Sequence, residues 1–396
     1  MLTTCVAWLG AGLVSHGVPG AALDVLAHHA TPSIVRLSRG LAVGDELRYV
    51  CPTRWGGPDA PPMIGVGQLA LVAGFRGLVS VDAEGNVAPV EAPFALDGVT
   101  TRALAALGDR AAALDTEGRV VQLLPAPAVL WAVLTPAPDT IALSEDGIVA
   151  VSADGGSLTL WDLTEQAATP APRILSTSYD ATPALTVLAD GRRFIRGGSD
   201  AGFRLDRIGV DAEPGLVPIA TSPGPIFGPV AAFDGTFVLV DGSLFRIDSD
   251  ALVPLPAGPP LTSLRAHPTF GLMGTAAPDL VKLDEAGKAL ETLIYFSELR
   301  PPSLKGLDEF DTRSCQLDWL DLATDAAFSG EQLIPAEWRP PGRVEDADSS
   351  DLVSGSPAAG GCSGVEGARP SLWLVLALWL GALSRRRLPG RPQVAM

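Results

Sequence analysis

Histidine, cysteine and the carboxylates carry most enzyme chemistry, and this 396-residue sequence supplies them unevenly, with 4 His, 4 Cys and 45 Asp plus Glu. His16 lies in an apolar N-terminal stretch, His28 and His29 are adjacent and would face opposite ways on a strand, and His267 precedes Pro268 in a turn. Nucleophile elbows of the form G-x-S-x-G, His-Glu-x-x-His helices, phosphate-cradling G-x-x-x-x-G-K loops and Cys-x-x-Cys pairs are all missing. No catalytic, cofactor-binding or metal residue is therefore assigned. Calcium needs several oxygens at alternate positions. Asp308, Glu309 and Asp311, and Asp248 with Asp250, come nearest but lack the accompanying Gly and distal Glu. Two segments read as candidate contact loops: 52–58 (PTRWGGP), where Arg54 stands beside Trp55, and 298–307 (ELRPPSLKGL). Arg and Trp are favoured at interfaces, and a rigid turn packed by one aromatic has the same composition.

The elements that would position such residues are β-strands. Hydrophobic residues make up 47% of the chain and charged ones 18%, enough apolar surface for a large core. The 43 glycines and 35 prolines, about a fifth of the chain, point to many tight turns rather than long helices. A formal charge of −17 argues against nucleic acid as a partner, because phosphate binding needs a basic face.

A repeat runs through the middle. Asp146-Gly147, Asp190-Gly191 and Asp234-Gly235 recur in two identical steps of 44 residues. Each opens a short apolar strand, a second small-residue turn and an alternating strand ending in hydrophobic-Asp: Trp161-Asp162, Leu205-Asp206 and Ile247-Asp248. The closing pair extends outward to Val81-Asp82, Leu114-Asp115, Leu283-Asp284 and Leu320-Asp321, giving seven units spaced near 40 residues. A four-stranded blade needs about 40 to 45 residues and cannot cover both its faces alone, so blades must stack around an axis. The expectation is an all-β propeller of about seven four-stranded blades over 31–334. Leu158 and Leu160 should face one neighbour and Thr159 and Trp161 the other. Ala111 to Ala113, Ala231 and Ala232 suit crowded inner strands.

The segment 142–163, with Leu160-Trp161-Asp162, resembles a WD-repeat blade, and 189–206, with Leu205-Asp206, is similar to it, although the Gly-His that opens the family's blades is absent. In a propeller the first and last segments commonly share one blade. Cys51 in ELRYVCP and Cys315 in RSCQLDWLD fall near the two ends of the domain, both in expected strands, and are expected to be disulfide-bonded.

Both termini read as processing segments. From Met1 to about Ala22 the chain is apolar and ends in Gly20, Ala21 and Ala22, as an export signal does, although no basic residue precedes Arg36. The alternative is a buried N-terminal strand or helix. At the other end an acidic, Pro/Gly/Ser-rich linker (335–361) precedes Gly361, Cys362 and Ser363, an apolar run over 371–384, and Arg385, Arg386 and Arg387. Fourteen helical residues span about 21 Å, short of the roughly 30 Å hydrocarbon core. Segment 362–388 resembles the myxobacterial MYXO-CTERM sorting signal, which implies export, cleavage near the Cys and display on the cell surface or outer membrane. Arg369 and the extension after Arg387 depart from that pattern, and a plain C-terminal anchor is the alternative. Residues 362–396 carry five arginines and one glutamate, so the remainder is a strongly acidic −21.

The resulting expectation is an exported, non-catalytic binding or scaffolding module. It would be monomeric, touch membrane only through its tail, and bind a protein or polysaccharide of the cell envelope. The competing reading is an extracellular glycoside hydrolase or lyase with carboxylates from several blades at the channel mouth, where glycosidic chemistry needs two of them about 5 to 10 Å apart.

Overall fold

The computed structural model describes residues 22–325, apart from 29–31, 58–60, 76, 91–100, 125–128, 155, 165–171, 178, 180–182, 200–201, 210–214 and 257. Seven four-stranded antiparallel sheets follow one another along the chain, over 22–50, 63–89, 101–133, 140–176, 184–222, 226–254 and 264–294; they are called blades 1 to 7 here. Each is a simple meander with its first strand at one edge. Those edge strands line the axis, the position where sheets of a propeller crowd together.

Seven apolar clusters fill the seven gaps between successive blades, and the seventh, between blades 7 and 1, closes the ring. The alternation of strand faces explains this. Leu158 and Leu160 pack towards Ile195 and Ile208 of blade 5, while Trp161 and Leu163 pack towards Ala112 and Leu114 of blade 3. Ala111 and Ala113 meet blade 2 instead. These alanines lie on the second strand (Arg110–Asp115), one position further out than expected, whereas Ala231 and Ala232 do lie on an innermost strand (Ile226–Ala232). Where sheets come closest, only glycine fits: a Cβ on Gly65 would stand 1.8 Å from the Leu26 carbonyl oxygen of blade 1.

The count of seven holds, but two members of the sequence series are reassigned. Leu114-Asp115 ends the second strand of blade 3, not a third strand. Leu320-Asp321 lies on a helix, Glu309–Asp325. The unit absent from the series is blade 1, whose short strands Leu41–Val43 and Arg48–Val50 carry no closing hydrophobic-Asp. The recurring Asp has a local cause. Oδ1 of Asp82 accepts the amides of Glu84 and Asn86, and Oδ1 of Asp115 those of Glu117 and Arg119, so the carboxylate fastens the turn after its strand. Asp206, fully buried, instead accepts from the Tyr179 hydroxyl at 2.8 Å and Arg204 Nε at 2.8 Å.

Ring closure differs from the shared-blade expectation, because blade 1 is built wholly from N-terminal strands. Its innermost strand (Ala22–His28) begins ahead of position 31 and at the last residue assigned to the export signal. The Ala22 amide donates to the Pro278 carbonyl at 3.0 Å, and its carbonyl accepts from Thr275 Oγ1 at 2.7 Å. On the outer edge Arg48 and Arg300 form a parallel bridge. The helix then packs Cys315, Trp319, Leu322 and Ala323 into the cluster between blades 7 and 1. Asp308 starts this helix, its Oδ1 accepting the Asp311 amide at 2.7 Å. Cys51 and Cys315 are disulfide-bonded with Cα atoms 5.4 Å apart, but neither is in a strand: Cys51 precedes a 3-10 turn (Pro52–Trp55) and Cys315 is helical. The strand expectation failed because Leu317, Trp319, Leu320 and Leu322 follow Cys315 in a pattern that a short alternating strand also shows.

Candidate functional site

Charged residues gather at one end of the ring. All innermost strands run the same way, so their first residues share that end. Asp24 is the third residue of its strand (Ala22–His28), and Arg265 the second of its own (Leu264–His267). Arg36 is the cross-strand partner of Asp24, and Arg196 that of Ala184, which starts the innermost strand of blade 5. Arg102 is the second residue of Thr101–Leu107, and Asp139 immediately precedes Thr140–Ser144.

The groups differ in how they are held. Arg265 Nε lies 3.2 Å from Asp24 Oδ2, and its Nη1 donates to the Leu264 carbonyl at 3.0 Å. Arg102 is held by Asp139 at 3.1 Å and the Pro138 carbonyl at 2.7 Å. Arg196 Nη1 donates to the Ile226 carbonyl at 2.8 Å, while its Nε is buried with no partner. The Arg36 guanidinium has charged neighbours, Arg265 and Asp24, but forms no hydrogen bond or ion pair with any described residue. Burial, then repulsion from Arg265, lowers both Arg36 and Arg196 to about 10. Burial also lifts Asp24 above the usual carboxylate range, against the pull of Arg265 and Arg36. Arg265 and Asp24 keep 35% and 20% of their side-chain surfaces open, so solvent reaches the cluster. A guanidinium that ionises near 10 stays charged at neutral pH, so the arginines can hold an anion.

The residues singled out in the sequence take other roles. Trp55 is fully buried between blades 1 and 2, as a rigid turn packed by one aromatic would have it, rather than exposed as a contact. Blade 2 runs close against this turn: a Cβ on Gly74 would stand 2.0 Å from the Trp55 carbonyl oxygen. Arg54 joins the two candidate loops, its Nη2 donating to the carbonyls of Ser303 at 3.1 Å and Lys305 at 3.2 Å. Beside it an open groove of about 470 Å³ runs between Pro52, Phe75, Phe310 and Asp311. Asp308 is occupied as the helix cap, and Asp250 forms a two-pronged pair with Arg207 at 2.6 and 2.5 Å. His267 Nδ1 accepts the Thr269 amide at 3.1 Å. His29, the export signal apart from Ala22, the linker, and Gly361, Cys362, Ser363, Arg385, Arg386 and Arg387 lie outside the described residues. Among the described residues, no group of three or more His, Cys, Asp or Glu could hold a metal, and no helix is long and apolar enough to cross a membrane.

No protein-family model matches this chain, and no curated protein matches it in sequence. Among solved structures it is similar to virginiamycin B lyase from Staphylococcus aureus, at 13% identity and a TM-score of 0.43 over 60% of this chain and 86% of that one. A streptogramin B lyase gives 13% and 0.43 over 69% and 97%. YCF48 from Cyanidioschyzon merolae gives 11% and 0.41 over 57% and 81%. Overlaps this loose carry nothing about activity.

Asp24, Arg36, Arg196 and Arg265 went unnoticed in the sequence because they are dispersed over 241 positions. The available signal was an arginine inside an apolar strand, as in SIVRL, RFIRGG and LRAH. Such residues rarely enter a core without a partner.

Proposed function

We propose that this propeller is an exported binding module without catalytic residues of its own, and that it takes its ligand at the end of the ring where the innermost strands begin. One observation carries the reading: Arg36 is charged, partly enclosed and forms no hydrogen bond or ion pair with any described residue, which costs stability unless something outside the chain uses the charge. The competing reading, a glycoside hydrolase or lyase, needs two carboxylates free to act at the channel mouth. Asp24 and Asp139 are each tied to an arginine, and these two aspartates are outnumbered by Arg36, Arg102, Arg196 and Arg265. Export and surface display rest on the apolar stretch up to Ala22 and on the tail from Gly361 to Arg387. The buried Ala22, hydrogen-bonded through both its amide and its carbonyl, favours cleavage before Ala22 rather than after it.

Incubating the purified chain with envelope polysaccharide and surface-protein fractions tests the reading. Retention of an unchanged ligand, weakened by Arg36→Gln, supports it. Appearance of new reducing or unsaturated sugar ends would reverse it in favour of the lyase or hydrolase. N-terminal sequencing of the protein recovered from cells should start at Ala22, and an intact Met1 would remove the export claim.

A further inference from the structure

We propose that Arg36, Arg196 and Arg265 form a site for a small dianionic oxyanion, a phosphate or sulfate group free in solution or carried on a small molecule. This deepens the binding reading above and rests on it. The three arginines come from blades 1, 5 and 7, so only ring closure brings them together. Arg265 is the link between them: it meets Asp24, the cross-strand partner of Arg36, at 3.2 Å, and Arg196 stands opposite Ala184, the first residue of an innermost strand, at the same end of the ring. Three guanidiniums against the one carboxylate of Asp24 leave at least two positive charges, enough to balance a dianion.

The donors left over are also suitable. Arg36 presents its whole planar fork, and Arg196 retains a buried Nε without a partner. Guanidinium forks match tetrahedral and planar oxyanions through paired N–H···O bonds, which are stronger than neutral hydrogen bonds. A bound dianion would relieve both the repulsion from Arg265 and the missing hydrogen bonds. The size of the ligand follows from the rest of the molecule. A chain of formal charge −17 repels long polyanions, while a local positive cluster still attracts a small one.

Isothermal titration and thermal melting of the full chain with inorganic phosphate, inorganic sulfate and a monosaccharide phosphate, each against chloride at equal ionic strength, test the assignment. Phosphate or sulfate should bind in the millimolar range or tighter and raise Tm where chloride does not. A monosaccharide phosphate binding about tenfold tighter assigns the group to an organic ligand, and equal binding assigns the free ion. Arg36→Gln should weaken binding about tenfold or more. It should leave Tm in anion-free buffer unchanged or higher, because it removes an unpaired charge that Arg265 repels. Arg110→Gln, which alters an arginine bonded to the Ser144 and Glu145 carbonyls, should leave affinity unchanged. Asp24→Asn, which removes the competing carboxylate, should tighten binding. The assignment fails if chloride acts as phosphate does, if Arg36→Gln binds normally, if Arg36→Gln lowers Tm without anion, or if Asp24→Asn weakens binding. Should no anion bind while an envelope component is retained, the anion site falls and the binding module stands.

Discussion

Replacing both bridging cysteines, as Cys51→Ser with Cys315→Ser, asks how much the ring depends on its covalent closure. The bond spans 264 residues, nearly the whole described ring. Loop-closure entropy scales with the logarithm of that length, and a loop this long restricts the unfolded chain by about 5 kcal/mol. The native state should change little. Trp319, Leu322 and Ala323 hold the helix in the apolar cluster between blades 7 and 1, with the Tyr49 ring 5.7 Å from that of Trp319. The effect should therefore appear as a lower urea midpoint with the folded-state spectrum preserved. Trp55, Trp161 and Trp319, all fully buried, supply the fluorescence signal. Alkylation of the unreduced wild-type chain should leave Cys51 and Cys315 unlabelled. A loss below about 1 kcal/mol would refute the reasoning, since the crosslink would then not be limiting the unfolded ensemble.

Gly65→Ala should cost about 3 kcal/mol in denaturant unfolding, because its Cβ would meet the backbone oxygen, carbon and Cα of Leu26 within 2.8 Å and the blades must part. Tyr179→Phe removes a hydroxyl that donates to the fully buried Asp206, with the Ile195 carbonyl oxygen also within 3.0 Å, and should lower stability by about 2 kcal/mol without changing the slope of the unfolding curve. The hydrogen bond from Arg207 holds the Asp250 carboxyl below its usual pKa. Its contribution is therefore present above the unfolded value near 3.9 and lost as pH falls through the lower folded value. The Tm difference between wild type and Asp250→Asn should be flat at neutral pH and close below about pH 4; a gap that widens on acidification would contradict this.

The ring was legible because its cause is local. Asp-Gly turns at 44-residue steps sit where each first strand meets its second, and alternation within Ser157–Thr164 states which residues face which neighbour. The disulfide was legible for a partly wrong reason, since the ends of the domain do meet, but through a helix rather than a shared blade. Period-2 and period-3.6 patterns overlap over stretches as short as 315–322, and nothing there marks a helix except Asp308, weighed only as a calcium ligand and set aside. Arg54 and Trp55 were correctly noticed as unusual, yet adjacency could not reveal that one faces the loop at Ser303 and the other the core. The inner-strand cluster was invisible because its members meet only through the closed ring.

The distribution of arginines separates architecture from binding. In this acidic chain arginine acts mainly as a fastener between sheets. Arg110 bonds blade 3 to blade 4, Arg193 pairs with Asp162 across blades 5 and 4, Arg207 pairs with Asp250 across blades 5 and 6, and Arg265 pairs with Asp24 across blades 7 and 1. Each fork finds carbonyls or a carboxylate on the next blade, which is why a planar donor serves better than lysine there. Arg36 has the same half-buried setting and an aspartate as its cross-strand partner, yet that aspartate is bonded to Arg265 instead. A fastener left without anything to fasten would be readily lost to glutamine or leucine unless its charge were used, because removing an unpaired half-buried cation raises stability. The physical cost of Arg36 to the free protein is thus the main support for the proposed anion site.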